Sequence, residues 1–232
     1  MINLQNIEIL IPSYNEAKNL PHTIKSLHDH GLKNITILDA KSDDGTEEVA
    51  EKFNCKILID PKKRMGFGYS LTNGIKKSKS KYLCIFDADG SFDPKSILEM
   101  HKLLEEHNID FVFGSRYLDG NKSDDDTFVT TIGNYFFTQI INILFNFKTS
   151  DALFLYLFGK TECFQKLNLK EKDFKICTEI LIKAYTFFKC REIFSYEAPR
   201  LHGETKVNRL LDGFKILINI LAMYFKIKLK KL

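Results

Sequence analysis

The sequence predicts an α/β fold in which a mainly parallel sheet is flanked by helices. From residue 7 to residue 116, short apolar runs typical of buried strands alternate with amphipathic helical patterns. The chain has 232 residues, which suits one large domain, and its hydrophobic fraction of 44% is ample for a core. Alternation at this spacing is typical of parallel strands joined by helices that cover the sheet.

Five strands are predicted in the first half, and helices follow the first four. The strands lie in IEILIPSYNE (7–16), ITILD (35–39), KILID (56–60), YLCIF (82–86) and IDFVFGSR (109–116). The helices lie in NLPHTIKSLHDHG (19–31), near 46–53, in GFGYSLTNGIKKS (66–78) and in DPKSILEMHKLLEEH (93–107). Asp93 is suited to cap the last of these helices, with Pro94 in its first turn.

The second half of the chain is less regular. Its segments are helices in TIGNYFFTQIINILFNF (131–147) and FKICTEILIKAYTFF (174–188), a strand or buried turn in SDALFLYLFG (150–159), a strand in REIFSYEA (191–198) and a polar loop in PRLHGETKVN (199–208). We expect a single domain over residues 1–207, followed by a basic amphipathic helix over residues 208–232.

The composition argues against several classes of protein. A net charge of +4 without a dense basic stripe does not suit a nucleic-acid partner. The five cysteines show no C-x-x-C spacing and lie in apolar runs, so we expect reduced core residues of a cytoplasmic protein rather than zinc ligands or disulfides. The first residues show no charged-then-apolar leader, so secretion is not expected.

Clusters of polar residues close four of the predicted strands. They are Pro12, Ser13, Tyr14, Asn15 and Glu16 after the first strand, Asp39, Ser42, Asp43 and Asp44 after the second, Asp87 and Asp89 after the fourth, and Ser115 and Arg116 after the fifth. Open α/β sheets bind ligands beyond the carboxyl ends of their strands. We therefore expect the four clusters to line one polar ligand site.

Asp87 and Asp89 lie one residue apart just beyond the buried strand YLCIF. Carboxylates at this spacing can both reach one Mg²⁺ or Mn²⁺ ion, which usually completes its shell with water and substrate phosphate. Such an ion would neutralise a diphosphate. Two alternatives are a solvated turn and the nucleophile loop of haloacid-dehalogenase-type phosphatases, which IFDADGSF resembles with Ser91 in place of threonine.

A basic turn precedes the third predicted helix. Lys62, Lys63 and Arg64 stand just before Gly66 and Gly68. The two glycines would let the backbone approach a phosphate closely at the start of a helix. A solvated basic turn is the simpler interpretation.

The motifs of the whole chain come in a specific order. They are ILIPSYNEAKNLPHTIKSL, ILDAKSDDGTEEV, GFGYSLTNGIKKSKSKYLCIFDADGSFDP, FVFGSRYLDG, TIGNYFFTQIINILF, TSDALFLYLFGK, CTEILIKA and PRLHGETKVN. This set resembles family-2 glycosyltransferases of the GT-A fold, above all dolichyl-phosphate mannose synthases and related polyprenyl-phosphate sugar transferases. The resemblance covers about residues 6–220. It implies a GT-A-like catalytic domain with a nucleotide-sugar-binding half at 1–118 and an acceptor-side half at 119–207.

The resemblance implies the residues of a donor pocket. Pro12, Tyr14, Asn15 and Glu16 match the turn that holds the nucleotide in the family. Asp39 matches the aspartate that faces the base. A second loop matches the one that closes over the diphosphate, and its matching residues are Arg200, His202 and Lys206.

The resemblance also implies the metal and catalytic residues. Asp87 would lie near the ribose and the diphosphate, and Asp89 would bind Mg²⁺ or Mn²⁺, with Ser91 where some relatives have a third ligand. Arg116 matches an arginine near the donor phosphates or the acceptor. Glu179 matches an acidic position and is the candidate base for a hydroxyl acceptor; an exposed or N-terminal helix glutamate is the alternative.

The implied activity is inverting transfer of a sugar from a UDP- or GDP-sugar to an acceptor. A polyprenyl phosphate or another lipid-linked acceptor fits the resemblance. The acidic stretch KSDDDTFVTT (122–131) stands where mannose-synthase-like enzymes carry basic residues, and it would repel a phosphate acceptor. A saccharide hydroxyl, as in cell-surface polysaccharide synthesis, is therefore the alternative acceptor, and a non-catalytic nucleotide-sugar-binding protein is a remoter one.

The C-terminal tail is apolar on most faces and ends in lysines. LLDGFKILINILAMYFKIKLKKL (210–232) carries Lys226, Lys228, Lys230 and Lys231 near its end. A basic helix of this kind can lie in an anionic membrane surface. We expect a protein peripheral to the cytoplasmic face of a membrane; the alternative is a helix packed on this domain or on a second subunit of a homo-oligomer.

Overall fold

The structure, a computed structural model, describes residues 3–121, 123, 127–203 and 209–229. Its elements are, in chain order, β1 (Ile7–Ser13), α1 (Leu20–Asp29), β2 (Ile35–Asp39), α2 (Thr46–Lys52), β3 (Lys56–Ile59), α3 (Phe67–Lys77), β4 (Tyr82–Ile85), α4 (Lys95–His107), β5 (Phe111–Ser115), α5 (Phe128–Phe145), β6 (Leu157–Lys160), α6 (Thr161–Lys166), α7 (Ile176–Phe187), β7 (Cys190–Phe194) and α8 (Arg209–Lys228). Single 3₁₀ turns lie at Leu4–Asn6 and Leu118–Gly120.

One seven-stranded sheet runs through the protein in the order β3-β2-β1-β4-β6-β5-β7. β1 pairs in parallel with β2 and β4, β2 with β3, and β5 with β7. β6 is antiparallel to both β4 and β5, so those two strands point the same way. The mainly parallel sheet is confirmed, and the carboxyl ends of β1, β2, β4 and β5 lie at one edge.

The five inner strands, β1, β2, β4, β5 and β6, are buried on both faces, which explains why they read as mainly apolar runs. Along β1, Ile9 and Ile11 point into a hydrophobic layer with α1, α2 and α4. Leu10, between them, points into a second layer with α3 and α5 to α8. Successive side chains of a strand face opposite sides, so one apolar strand supplies both layers.

Several details differ from the sequence-based expectations, among them the start of α5 at Phe128, three residues before the predicted start. Only the last three residues of SDALFLYLFG belong to a strand, β6, because the polar start of this segment makes side-chain contacts with Ser115 and Arg116 after β5. Helix α4 begins at Lys95, one residue later than expected, although the Asp93 carboxylate does accept a hydrogen bond from the Lys95 N–H at 3.0 Å. The short helix α6 was not expected.

The glycines before and within α3 serve packing between two parts of the backbone. Gly66 has φ +115°, and a Cβ atom there would lie 2.1 Å from the carbonyl oxygen of Lys172. At Gly68 a Cβ would lie 2.5 Å from the carbonyl oxygen of Glu171. The close approach expected from these glycines is therefore to the chain's own segment at 171–173.

Alanine at Gly66 is expected to destabilise the protein by about 2 kcal/mol or more, because it combines left-handed strain with overlap against a fixed carbonyl. Gly133, inside α5, is the matched control, since nothing lies within 4 Å of its added Cβ. Gly133→Ala should be neutral or stabilising by up to about 1 kcal/mol. Urea unfolding of the two variants measures the difference. Equal midpoints would contradict the packing described here.

Candidate active site

The loops after β1 and β2 are cross-linked into one wall. The backbone N–H of Asn15, a residue with φ +54°, donates to Ser42 Oγ at 2.8 Å. Ser42 Oγ in turn donates to Asp39 Oδ1 at 2.5 Å, and Asp43 N–H donates to Asn15 Oδ1 at 3.1 Å. Asp39 is buried at the end of β2. The structure thus brings together Asn15 and Asp39, which the sequence assigned to one pocket.

Tyr14 and a basic turn form the outer part of this wall. The guanidinium of Arg64 lies 5.2 Å from the centre of the Tyr14 ring, and Lys63 Nζ lies 5.9 Å from it. Lys63 also pairs with Asp43 at 2.6 Å. Pro12, by contrast, is buried within β1 opposite Leu38 of β2. Sequence reasoning left the basic turn as a solvated feature and missed its contact with Tyr14.

Asp60 lies next to this wall, and sequence reasoning did not assign it to the site. It follows β3, its N–H donates to the Asp39 carbonyl at 2.8 Å, and its carboxylate accepts from Ser70 Oγ at 2.6 Å. Burial raises the pKa of Asp60 above its ordinary value. The signal was present, because KILID ends in an aspartate as ITILD does.

Asp87 and Asp89 close β4 on a turn that packs against α1. Ala88, between them, accepts a hydrogen bond from Thr23 Oγ1 at 2.8 Å. Asp89 Oδ1 accepts from the Ser91 N–H at 3.0 Å, so Ser91 shapes the turn through its backbone. Burial and the charge of Asp89 raise the pKa of Asp87 to about 7. Two carboxylates this close repel each other, so the pair would be stabilised by a cation.

Glu16 and Arg200 complete this centre. Arg200 Nη1 lies 3.1 Å from Glu16 Oε1, and Arg200 Nη2 lies 3.0 Å from Asp89 Oδ2. The segment that carries Arg200 lies along the Asp89 turn, with the Ala198 N–H donating to Ser91 O at 2.8 Å and the Leu201 N–H to Asp89 O at 3.2 Å. The structure therefore brings together residues that follow β1, β4 and β7.

His202 and Lys206 are two further members of the expected closing loop. The carbonyl of His202 accepts from Asn19 Nδ2 at 3.1 Å, which ties this loop to the start of α1, and its side chain is exposed. Lys206 lies outside the described residues. Their expected contacts with a diphosphate stay predictions.

Arg116 makes ion pairs within the protein. Its Nε lies 2.7 Å from Asp151 Oδ2, and its Nη1 lies 3.1 Å from Glu197 Oε2. Its guanidinium also lies 4.8 Å from the centre of the Phe154 ring. These contacts give Arg116 a positioning role between the ends of β5 and β7, and its expected contact with donor or acceptor stays a prediction.

Glu179 is buried in α7, with its carboxylate fully engaged. It accepts hydrogen bonds from the N–H groups of Lys170 and Glu171, at 2.9 to 3.0 Å, and from Lys183 Nζ at 2.8 Å. Of the two forms of the alternative, an exposed helix glutamate is wrong, whereas an N-terminal helix glutamate is confirmed, because Glu179 lies in the first turn of α7. The base role stays a prediction, and these contacts favour a structural one, since a base needs a carboxylate oxygen free for the acceptor.

The donor set around Asp87 and Asp89 suits a hard divalent cation held mainly by its substrate. In the part of the chain that the structure describes, no group of three or more His, Cys, Asp or Glu residues is arranged to hold a metal ion. Magnesium-type ions bound through one or two carboxylates fill the remaining positions with water and phosphate oxygens. Ser13 Oγ at the end of β1 and Asn19 Oδ1 before α1 are buried without a hydrogen-bond partner among the described residues.

Asp87 should make stability depend on pH in the metal-free protein. An unfolded aspartate loses its proton near pH 4, whereas the folded one loses it near its raised pKa of about 7. Between these values the folded state binds more protons, so the contribution of Asp87 to stability falls as pH rises. The free energy of unfolding of wild type, relative to that of Asp87→Asn, should therefore fall between about pH 4.5 and about pH 7.5. Urea unfolding in the presence of EDTA measures this difference. A constant difference would contradict this.

Residues 8–170 match the family described as "Glycosyl transferase family 2". Over 215 residues the chain is 26% identical to the glycosyltransferase AglJ of Haloferax volcanii, covering 91% of this chain and 70% of that protein. Over 243 residues it is 25% identical to a UDP-N-acetylglucosamine–dolichyl-phosphate N-acetylglucosaminyltransferase of Methanococcus voltae, covering 94% and 95% of the two chains.

The fold also matches a solved enzyme. The glucosyl-3-phosphoglycerate synthase of Mycobacterium tuberculosis, crystallised with Mn²⁺, UDP and glucosyl-3-phosphoglycerate, superposes with a TM-score of 0.72 at 14% identity, over 93% of this chain and 78% of that one. The expected GT-A fold is confirmed by this likeness, and the family by the match over most of the chain. The protein belongs to glycosyl transferase family 2.

Proposed function

We propose that this glycosyltransferase uses a nucleoside-diphosphate sugar and a divalent cation, and that it acts on a lipid-linked acceptor at the cytoplasmic face of a membrane. The observation that carries the donor side is the cluster of Glu16, Asp87, Asp89 and Arg200 at the carboxyl edge of the sheet. Relatives support it, since a solved structure of the same fold contains Mn²⁺ and UDP.

Different residues would contact different parts of the donor. Asp89, with Asp87 beside it, would hold Mg²⁺ or Mn²⁺, which offsets the charge that grows on the departing nucleoside diphosphate. Arg200 can contact the same diphosphate, and stabilisation that increases in the transition state accelerates transfer. Tyr14, Asn15 and Asp39 form the adjoining wall, where the nucleoside would lie. Attack by the acceptor on the anomeric carbon then inverts its configuration.

Similarity to relatives supports a lipid phosphate as the acceptor. The Methanococcus voltae protein is named for transfer to dolichyl phosphate, and it matches this chain over nearly its whole length. An ionised phosphate oxygen needs no strong base, which agrees with the engagement of Glu179 by Lys183. Incubation with UDP- or GDP-sugars labelled in the sugar, followed by organic extraction, tests this. Label in the organic phase only when polyprenyl phosphate is present is the expected result.

A saccharide hydroxyl is the second candidate acceptor, and one observation favours it. In the described part of the chain Arg116 pairs with two acids, Asp151 and Glu197, which lower the net positive charge that this side of the site offers a phosphate. Residues 122 and 124–126 of the acidic stretch lie outside the described residues. Label that stays in water, on a soluble oligosaccharide, would support this candidate and overturn the lipid acceptor.

An apolar face on α5 and α8 supports a membrane location. The face consists of Val129, Ile132, Tyr135, Phe136 and Ile143 on α5 and of Leu211, Phe214, Ile218, Leu221, Phe225 and Leu229 on or just after α8. The helices lie side by side, with the Phe145 and Tyr224 rings 5.8 Å apart. The α8 residues recur every three or four positions, which places them on one side of the helix.

The charges around the apolar face match an anionic bilayer. α5 contains no charged residue, and Lys215, Lys226 and Lys228 of α8 are exposed. Asp212 is paired with Lys215 at 3.3 Å. Lysines at an anionic surface each contribute on the order of 1 kcal/mol. Lys230 and Lys231 lie outside the described residues. No helix in the described part of the chain is long and apolar enough to span a membrane.

The membrane location is tested by sedimentation with lipid vesicles. The protein should bind phosphatidylglycerol-containing vesicles and bind pure phosphatidylcholine weakly. Phe214→Glu combined with Phe225→Glu should lower binding by about tenfold or more, because both side chains lose apolar contact. Ile59→Glu, at an exposed apolar residue of β3, is the control and should bind as wild type does. Absent vesicle binding, with a dimer that the double variant dissociates, would instead assign the face to a second copy.

A further inference from the structure

The predicted metal ligand, Asp89, already pairs with a cationic side chain, that of Arg200. Arg200 Nη2 lies 3.0 Å from Asp89 Oδ2, while the other oxygen of that carboxylate accepts from the Ser91 N–H. Arg200 Nη1 reaches Glu16 at 3.1 and 3.4 Å. All three side chains are largely buried, so their charges are poorly screened by water.

The backbone holds Arg200 in this place. Its neighbour Leu201 donates to the Asp89 carbonyl, and Leu201 Cδ1 would lie 2.6 Å from a Cβ at Gly90. Glu16 is fixed as well, because its Oε2 accepts from Asn19 Nδ2 at 2.6 Å. Burial opposes the charge of Arg200, but attraction to Asp89 and Glu16 outweighs it and raises the pKa of the guanidinium. The arginine is thus a counter-ion of both Asp89 and Glu16.

A divalent cation and this arginine would compete for Asp89. Magnesium-type ions bind carboxylate oxygens at about 2.1 Å. Asp89 Oδ2 already pairs with Arg200 and Oδ1 already accepts from the Ser91 N–H, so an ion on Asp89 would have to share or displace one of these contacts. Two cations on one carboxylate also repel each other strongly where water is excluded. An arriving diphosphate removes the conflict, because its oxygens can accept from the guanidinium in place of Asp89.

We infer that Arg200 is a built-in substitute for the metal: it blocks Asp89 to free divalent cations and transfers to the diphosphate when cation and nucleotide bind together. The inference rests on the proposed function. It means that cation and nucleotide bind cooperatively, each favouring the state in which Arg200 has left Asp89. A site of this kind avoids both an empty acidic pair and a cation held without a donor.

The test measures Mn²⁺ binding by electron paramagnetic resonance, with and without UDP or GDP. Arg200→Gln should bind Mn²⁺ alone about tenfold or more tightly than wild type, and bind the Mn²⁺–nucleotide complex about tenfold more weakly. Adding Asp89→Asn to Arg200→Gln should abolish the gain. The matched control is Arg191→Gln, which removes the same charge from an exposed residue of β7 and should change neither affinity.

Arg200→Lys provides a second, milder variant. It keeps the charge but cannot span both carboxylates as the planar guanidinium does, so Mn²⁺ alone should bind about threefold more tightly than to wild type. If neither Arg200 variant binds Mn²⁺ more tightly than Arg191→Gln, the substitute role is overturned while the proposed function stands. If wild type shows no cation-dependent binding of UDP or GDP, the proposed function fails and this inference fails with it.

Discussion

Asp89→Asn is expected to lower kcat/KM for sugar transfer by about 10³-fold or more, which corresponds to about 4 kcal/mol of transition-state stabilisation. The change is nearly isosteric and can keep the hydrogen bond from the Ser91 N–H. It removes the charge that holds the cation and that pairs with Arg200. Because the loss acts on the departing diphosphate, it should appear in transfer to any acceptor, whether lipid phosphate or hydroxyl.

Asp93→Asn is the matched control for this experiment. Asp93 lies four positions further along the same loop and is exposed, and its carboxylate accepts from the Lys95 N–H at the start of α4. Asparagine caps helices about as well as aspartate, so activity should stay within about threefold of wild type. Thermal unfolding of both variants separates catalysis from folding. Comparable activity of Asp89→Asn and Asp93→Asn would remove the basis for a metal at this turn.

Glu179→Ala is expected to destabilise the protein by about 3–5 kcal/mol, because it leaves Lys183 charged and buried without its counter-ion. The two side chains are only 4% and 5% exposed, and Lys183 Nζ has one other acceptor, the carbonyl of Asn168 at 2.9 Å. The Lys170 and Glu171 N–H groups would also lose their acceptor. Chemical denaturation measures the loss.

A double variant separates this structural role from the role of a base. Replacing Glu179 and Lys183 together with methionine removes both charges, and apolar replacement of a buried pair is often neutral or stabilising. If Glu179 is structural, the double variant should recover most of the stability and retain transfer activity. A folded double variant whose kcat is lost would instead support the base role, above all if activity with a hydroxyl acceptor is lost selectively.

Local sequence patterns sufficed for the parallel half of the sheet and for one side of the site. The apolar runs of β1, β2 and β4 are buried on both faces, so they are unambiguous as strands, and the residues that end them meet at one edge. The same rule reaches Asp60, which ends KILID as Asp39 ends ITILD, although β3 is partly exposed at the sheet edge.

Contacts between distant segments were beyond local patterns. Arg200 and Glu16 are 184 residues apart, and their pairing depends on how β7 leads back towards the Asp89 turn. Motif resemblance predicted that Arg200 lies near a diphosphate but could not show that it pairs with Asp89. For Arg116, likewise, the acids that engage it lie 35 and 81 residues away.

The position of β6 between β4 and β5 could not be predicted from local sequence either, for a different reason. Its segment is apolar from Ala152 to Phe158, and an apolar run alone does not distinguish a strand from a buried turn. Antiparallel pairing with both β4 and β5 decides the matter, and that pairing is a property of the assembled sheet. The sequence therefore predicts which residues end the strands, whereas the partners of each charged side chain are seen only in the structure.

The central claim is that a divalent cation binds between the acids of the β4 turn and the diphosphate of the donor. It is tested most directly by a crystal grown with Mn²⁺ and a nucleoside diphosphate, with anomalous scattering recorded at the manganese edge. The expected result is a single strong peak about 2.2 Å from an Asp89 carboxylate oxygen, bridged to the diphosphate, with Arg200 moved onto the phosphates. Bound nucleotide with no anomalous peak at this turn, and Arg200 still on Asp89, would contradict the claim.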